Sequence, residues 1–358
     1  MNDRDGALAL SQNITIGART CVKLRALGKI GTVISLSAQK LHSIGFTTDV
    51  ARSIADAHLI DIDAVKKQLQ RFSINYAVFG DREYPSLLAE LPDPPSVLYY
   101  KGTLASLAHP TVALVGSRKA STYGTFITKK LVDGLCQKGI TIVSGLALGI
   151  DAVAHRSAVD AEGLTVAVLG NGLDTIYPSS HTRLAQSIIE SGGCILSEYP
   201  VGTPSYPAHF PVRNRIIAGL SLGTVVVEAA HQSGSLHTAH AALDYNRDVM
   251  AVPHALATAG GEGPHSLIRA GATLVRTYND ILDVLGIADT PQQPHVSSIP
   301  LSQTDSAILS LLTKEPLHID DIVVTSEYAI GDVSASLAVL EMSGHVRHIG
   351  GKRYSKVW

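Results

Sequence analysis

The chain has 358 residues, 45% of them apolar and 17% charged, with 29 Lys and Arg against 31 Asp and Glu. That length predicts two or three domains, and the apolar share is ample for a buried core, which excludes disordered and fibrous chains. A formal net charge of -2 excludes a globally basic nucleic-acid binder, so any polyanion site must be a local concentration of Arg and Lys.

The opening Met1-Asn-Asp-Arg-Asp5 lacks the apolar centre of a signal peptide, and no run of about 20 apolar residues occurs in the sequence. Cys21, Cys136 and Cys194 fit no C-x-x-C spacing and read as reduced thiols. The expected location is the cytoplasm, with no membrane contact. Residues 13–58 carry helical spacing broken by short glycine turns. Within them Ile44-Gly45-Phe46, with Thr47 or Thr48 placed to cap the next helix, has the pattern of a helix-hairpin-helix unit. Such a hairpin can point backbone amides at a DNA phosphate or serve as a docking bundle, and both readings stay open. From Tyr76 the pattern changes to prolines, turns and a short strand at Val97-Leu-Tyr-Tyr100 that feeds the next domain.

The stretch from Thr111 to Pro253 carries apolar runs ending near Gly116, Val143, Leu169, Val227 and Val252, mostly spaced for crossover helices. This predicts a doubly wound, mostly parallel α/β sheet. Its first turn, Gly116-Ser117-Arg118-Lys119 before a helix-starting Ser121, places polar donors and cations where a helix begins, a position suited to a phosphate. Gly145 opens a second glycine-rich turn and Gly170 a third, both at carboxyl ends of strands, where open α/β sheets bind ligands. Neither the dinucleotide fingerprint nor the P-loop pattern is present. Arg213-Asn214-Arg215 sets two guanidiniums around an amide, each needing an acid or a phosphate, with Glu198 and Glu228 as the acidic options. Ser233-Gly234-Ser235 offers hydroxyls and amides to an anion.

Of 15 histidines, His231, His237, His240, His254 and His265 cluster, and His237 and His240 lie three apart on a predicted helix. Without H-E-x-x-H or a cysteine pair they form no recognisable metal set. Gly-x-Ser-x-Gly is absent, and Asp151 and Asp174 read as helix N-caps before they read as a catalytic pair. Residues 288–300 form a Pro/Ser/Gln linker, and residues 301–358 a winged helix of three helices and a hairpin turning at Gly350-Gly351. Between Leu301 and Trp358 five Lys and Arg face seven Asp and Glu, and the predicted recognition helix has no cation, which favours protein docking or regulation over duplex reading.

Taken in order, Gly80-Asp-Arg-Glu-Tyr-Pro85, Asp93-Pro-Pro95, Val115-Gly-Ser-Arg118, Ser144-Gly-Leu-Ala-Leu-Gly-Ile-Asp151, Ala167-Val-Leu-Gly-Asn-Gly-Leu-Asp174 and Phe210-Pro-Val-Arg-Asn-Arg-Ile-Ile217 resemble the DNA-processing protein A family, also called Smf. The resemblance implies a Rossmann-like doubly wound core at 76–287. A helical helix-hairpin-helix/SAM-like domain at 1–75 and the winged helix would flank it. It implies a homodimer that binds and protects incoming single-stranded DNA and helps load the RecA recombinase in natural transformation, without catalysis; no metal or cofactor is expected from the residues. By the resemblance the Gly116-Ser117-Arg118 turn and the neighbouring basic pocket would hold the DNA backbone, and with the turns read above the candidate DNA-binding residues are Gly116, Ser117, Arg118, Lys119, Ser121, Gly145, Arg213, Asn214, Arg215, Ser233, Gly234 and Ser235. The chain departs from the family pattern at Asn246, where Gly is frequent, and at His254 and His265. A different class of function, a nucleoside-monophosphate phosphoribohydrolase, is suggested by Gly223-Thr224 with Glu228. That sequence lacks the preceding glycines and has one residue too many before the carboxylate, which would turn it to the other side of a strand.

Overall fold

A computed structural model describes residues 1–288, 302–313, 315–342 and 345–356. The chain divides into two compact units, Met1–Asp289 and Thr290–Trp358. The expected linker at 288–300 lies, beyond residue 288, outside the described residues.

The first unit opens with helices α1 (Asp3–Ser11), α2 (Ala18–Ala26), α3 (Ile30–Val33), α4 (Ala38–Ser43), α5 (Thr48–Asp56) and α6 (Ile62–Arg71). The sequence reading missed α1, whose apolar run Ala7-Leu-Ala-Leu10 is short but fully buried. Asn2 caps it by accepting from the Asp5 amide. Leu24, Ile34, Leu41 and Ile54 form the core of the helical bundle. The α4–α5 junction turns at Gly45 with φ +105°, a backbone that disfavours other residues, and Thr47 sits at the N-cap without a side-chain bond.

Nine strands follow: β1 (Asn75–Val78), β2 (Val97–Gly102), β3 (Thr111–Gly116), β4 (Thr141–Ser144), β5 (Thr165–Val168), β6 (Cys194–Ser197), β7 (Gly223–Glu228), β8 (Asp248–Ala251) and β9 (Thr273–Leu274). They form one sheet in the order β1-β2-β6-β5-β4-β3-β7-β8-β9. The β1/β2 and β2/β6 pairs are antiparallel and the rest parallel. β3 through β7 are buried at almost every position, which is why these strands read as unbroken apolar runs and not as alternation. The reading missed β6, whose Cys-Ile-Leu-Ser has only two strongly apolar residues. Ala7 and Leu8 of α1 pack on Val97 and Tyr99 of β2, so the N-terminal helices share a core with the sheet edge.

Among the connecting helices are α7 (Ser86–Ala89), α8 (Thr122–Gln137), α9 (Ile150–Asp160), α10 (Thr182–Glu190), α11 (His209–Gly219), α12 (Ser235–Asp244), α13 (Glu262–Arg269) and α14 (Tyr278–Val284). Leu131 and Leu135 of α8, Ala154 of α9 and Ile281 of α14 pack on Leu114 and Val225 on one face of the sheet. Ile216 of α11, Ala239 of α12 and Leu267 of α13 pack on Val115 and Val226 on the other. The chain winds from β3 through β4 and β5 to β6, then crosses back to β7 on the opposite flank of β3. The connections leaving the carboxyl ends of β3 and β7 therefore diverge, and such a switch point is where doubly wound sheets bind ligands. Asn246 adopts φ +55°, a conformation Asn tolerates better than most residues and Gly best.

The second unit contains α15 (Gln303–Leu311), β10 (Leu317–His318), α16 (Ile319–Ser326), α17 (Ile330–Met342), β11 (Val346–Gly350) and β12 (Arg353–Lys356), with sheet order β10-β12-β11. This is a winged helix around Ile308, Ile322, Val333 and Leu337. The hairpin loop is Gly351-Lys352, one residue later than expected. Both residues have φ near +57°, as a type I′ turn requires, and a bulge before Gly350 shifts the register. Among the described residues no single helix is long and apolar enough to cross a membrane.

Candidate functional site

The switch point holds an open cleft of about 740 Å³ lined by Gly116, Ser117, Arg118 and Lys119 after β3, Phe210, Arg213 and Asn214 on α11, and Ser233, Gly234 and Ser235 after β7. Gly116 is required by packing: a Cβ there would stand 2.7 Å from Ile150 and 2.9 Å from the Glu228 carbonyl. The following turn is pinned by the Ser117 amide donating to Glu228 O at 2.6 Å and by the Ile150 amide donating to Ser117 O at 3.1 Å. Arg118 leaves this fixed turn exposed, with its guanidinium carbon 5.4 Å from the Phe210 ring centroid. It forms no ion pair within 4.0 Å among the described residues.

The N-terminus of α8 is not free for a phosphate, because the buried Glu228 carboxylate occupies it. Glu228 accepts from the Ser121 amide at 3.2 Å and the Ser121 hydroxyl at 2.8 Å, while Ser121 Oγ accepts from the Gly124 amide. The helix start that does line the cleft is that of α12. Its N-cap, Gly234, offers no side-chain cap; the Ser233 and Ser235 hydroxyls share a hydrogen bond at 2.8 Å, the Ser235 amide donates to Ser233 Oγ at 3.4 Å, and the Leu236 and His237 amides donate to the Ser233 and Gly234 carbonyls. Of the amides from Ser233 to His237, that of Gly234 alone has no acceptor among the described residues, and a free donor at a helix start favours an anion.

The cleft floor is a clamped turn. Leu146, after β4, has φ +55°, unfavourable for a branched residue, and is fully buried. Four side chains fix its neighbourhood: Asp151 accepts from the Gly145 amide, Arg213 Nη1 donates to Gly145 O at 2.7 Å, His155 Nε2 accepts from the Leu146 amide, and His181 Nδ1 donates to Leu146 O. Arg213 is only 4% exposed. Nη1 also donates to Val168 O and Nε to Asn214 Oδ1, leaving Nη2 as the nitrogen with no protein acceptor among the described residues. Burial, partly offset by the charge of Asp151 and reinforced by that of Arg118, brings the Arg213 guanidinium down to about 10. It is still cationic at neutral pH, and two guanidiniums that repel across a cleft are both relieved by an anion between them. Burial likewise raises the Asp151 carboxyl against the Arg213 charge. Asp151 lies in the first turn of α9 and Asp174 accepts from the Gly202 amide, so neither is a helix N-cap as expected.

His155 supplies a pH test. Because its Nε2 accepts the Leu146 amide, the proton sits on Nδ1 and is donated to Thr165 Oγ1, which in turn donates to Ile142 O. Burial first, then the charges of Arg213 and His181, push its pKa down to about 3. The unfolded chain binds this proton below about pH 6.5 and the folded chain does not, so this contribution to stability is complete above pH 6.5 and is lost as pH falls toward 3. The melting temperature of the wild type is expected to fall more between pH 7 and 5 than that of His155→Gln. Equal slopes would mean that His155 charges freely in the fold.

The structure therefore brings together nine of the twelve predicted residues. Gly145 lies beneath the cleft, where a Cβ would stand 2.7 Å from the Arg213 guanidinium. Ser121 is behind it, held by Glu228. Arg215 is not in the cleft: it pairs with Glu198 and donates to Asp93 O at 2.8 Å, the ion-pair option left open by the sequence. The reading passed over the aromatic rim, in which Tyr177 and Phe210 stand 5.5 Å apart between ring centroids. Aromatic residues flanking cations were the available signal. The clustered histidines are partly structural: His254 bonds Val227 O, His265 bonds His254 O, and His237 lines the cleft.

Comparison with known proteins gives the following. Residues 75–286 match the family model for DNA recombination-mediator protein A, and residues 292–352 the DprA winged helix domain. Protein Smf of Escherichia coli is 41% identical over 275 residues, covering 75% of this chain and 74% of that protein. The crystal structure of DNA processing protein A from Streptococcus pneumoniae superposes with a TM-score of 0.68 at 36% identity, over 77% of this chain and 95% of the other. A Helicobacter pylori DNA processing protein A, described for its single-stranded DNA binding mode, superposes with a TM-score of 0.53 at 30% identity, over 59% of this chain and 95% of the other.

Proposed function

Because the chain belongs to the DNA-processing protein A (Smf) family, we propose that it binds single-stranded DNA in the β3/β7 cleft and acts as a recombination mediator. The observation that carries this reading is the arrangement of Arg118, the Arg213 floor and the Gly234 turn at the start of α12 around one groove, in which Arg118 has no acid within 4.0 Å among the described residues and Arg213 is offset only by the buried Asp151. A phosphate would accept from the Arg118 fork, from Arg213 Nη2, and from the Gly234 amide and the Ser233 and Ser235 hydroxyls, with Lys119 and Asn214 at the rim. Nucleobases would lie against Phe210 and Tyr177. Phosphate contacts carry no base information, so binding would be sequence-tolerant and would weaken as salt is raised. We extend the reading to protection of the bound strand, loading of the RecA recombinase and action as a homodimer in the cytoplasm.

A binding role without catalysis fits the placement of Glu228. Its carboxylate is engaged by Ser121 at the start of α8 and is not part of the cleft lining, so it cannot meet a ribosyl bond there. The test is a mobility shift with single-stranded and duplex DNA of equal length over a salt series, beside an assay for base release from nucleoside monophosphates. Preference for the single strand with no base release supports the proposal. Equal affinity for both forms, or turnover, would overturn it.

We assign the binding step to the first unit. Among the exposed residues of α17 are Ser334, Ala335, Val339 and Glu341, whereas Ser336 is buried and donates to Asp305. No cation lies on this helix to meet a phosphate. A chain ending at Ala288 should therefore keep single-strand affinity within about threefold, or about 0.7 kcal/mol. A loss of tenfold would place part of the site in the winged helix.

A further inference from the structure

The exposed aromatic residues are not scattered. Among the described residues the Phe and Tyr side chains that are clearly exposed are Tyr123 (43%), Phe126 (54%), Tyr177 (48%) and Tyr206 (51%). Tyr177 lines the cleft, and Tyr206 stands next to its Pro207 wall. Tyr123 and Phe126 lie on the first two turns of α8, the helix that begins three residues after Lys119. The chain has only five Phe, and the other four are buried or half-buried, so leaving Phe126 in solvent forgoes a burial that its relatives in the core obtain.

The surroundings of this pair are cationic. From Arg118 to Val132 there is no Asp or Glu, and Lys119, Lys129 and Lys130 are all exposed with no ion pair within 4.0 Å among the described residues; Asp133, one turn further on, faces Lys129. Tyr123, Phe126 and Lys130 are spaced i, i+3, i+7 and so share one helix face. Tyr123 is held rigidly. Its hydroxyl donates to Pro253 O at 2.9 Å and its ring meets His254 edge to face with centroids 4.9 Å apart. A fixed ring, a neighbouring free ring and flanking lysines, continuous in sequence with the Arg118 turn, form a stacking track of the kind that binds single strands irrespective of sequence.

We infer that the Tyr123–Phe126 face of α8 is a second binding surface for single-stranded DNA, on which bases of the strand leaving the Arg118 cleft stack while Lys119 and Lys130 meet its phosphates. The inference rests on the reading of the cleft as a DNA site and extends the path of the strand to a helix face outside the cleft lining. A second protein chain would also cover an exposed aromatic pair. Continuity with the Arg118 turn and the exposed Lys119 and Lys130 favour a polyanion.

The test uses the full chain and oligo(dT) long enough to run past the cleft. Phe126→Ala is expected to weaken binding about tenfold without changing the slope of affinity against salt, because a stacked base releases no counterion. Phe126→Leu, apolar but not planar, should be as weak as Phe126→Ala, and Phe126→Trp should restore affinity with its fluorescence quenched by the DNA. Arg118→Ala runs alongside as the cleft control and should lower the salt slope. If Arg118→Ala weakens binding but Phe126→Ala binds like the wild type, the track is overturned while the cleft stands. If Phe126→Leu binds like the wild type, or Phe126→Ala changes only the sedimentation behaviour, the face is an apolar protein contact and the track is likewise overturned. A wild type that fails to bind single strands removes the cleft reading, and the track falls with it.

Discussion

Replacing Arg118 by alanine is expected to weaken single-stranded DNA binding by about 10- to 100-fold while leaving the melting temperature unchanged. The first half follows from charge: a hydrogen bond to a charged group is worth about 1.5–3 kcal/mol, and a planar guanidinium can grip two oxygens of one phosphate. The second half follows from position. Arg118 is exposed, touches the rest of the chain chiefly through the face of Phe210, and holds no buried acid in place. Arg118→Lys keeps the charge but loses the fork, so it should recover only part of the affinity. The loss should be similar for all base sequences and should lower the salt slope by about 0.7 per phosphate contact removed. A lowered melt with DNA affinity intact in the cold would make Arg118 a structural residue and move the anion site elsewhere in the cleft.

The sheet was legible in the sequence because its central strands are buried on both sides. Ala113-Leu-Val115 and Val225-Val-Val227 have nowhere polar to face, and the glycine turns after them mark their carboxyl ends. What stayed hidden depends on contacts between segments far apart in the chain. The α8 N-terminus looked open for an anion because nothing local to Ser121 occupies it. The carboxylate that does so comes from residue 228, on the neighbouring strand. Arg213 and Arg215 are indistinguishable by sequence, two residues apart with an amide between. On a helix they point about 160° apart, and this sends one under the cleft and the other to Glu198. The aromatic rim was missed for a related reason: Tyr177 and Phe210 are 33 positions apart and become a pair only when α11 folds over the loop after β5.

Arg213→Ala should have the opposite signature to Arg118→Ala, a large loss of stability. Arg213 is buried, and its Nη1 and Nε groups serve Gly145 O, Val168 O and Asn214 Oδ1, while its charge offsets that of Asp151. Removing it leaves two strand-end carbonyls without their donor, a buried carboxylate without its compensating charge, and a void beneath a turn already strained at Leu146. Breaking a buried charge arrangement from one side costs about 3–5 kcal/mol, which for a unit of this size lowers the melting temperature by on the order of 10 °C. Arg213→Lys should fall between, since one ammonium can reach one of the carbonyls but does not reproduce the fork. Adding Asp151→Asn to Arg213→Ala should recover part of the loss, because the amide removes the stranded charge while still accepting from the Gly145 amide. Thermal denaturation of the three variants decides the matter. An Arg213→Ala protein that melts with the wild type but no longer binds single strands would make Arg213 a pure phosphate ligand, and the clamped floor would have to be held by Asp151, His155 and His181 alone.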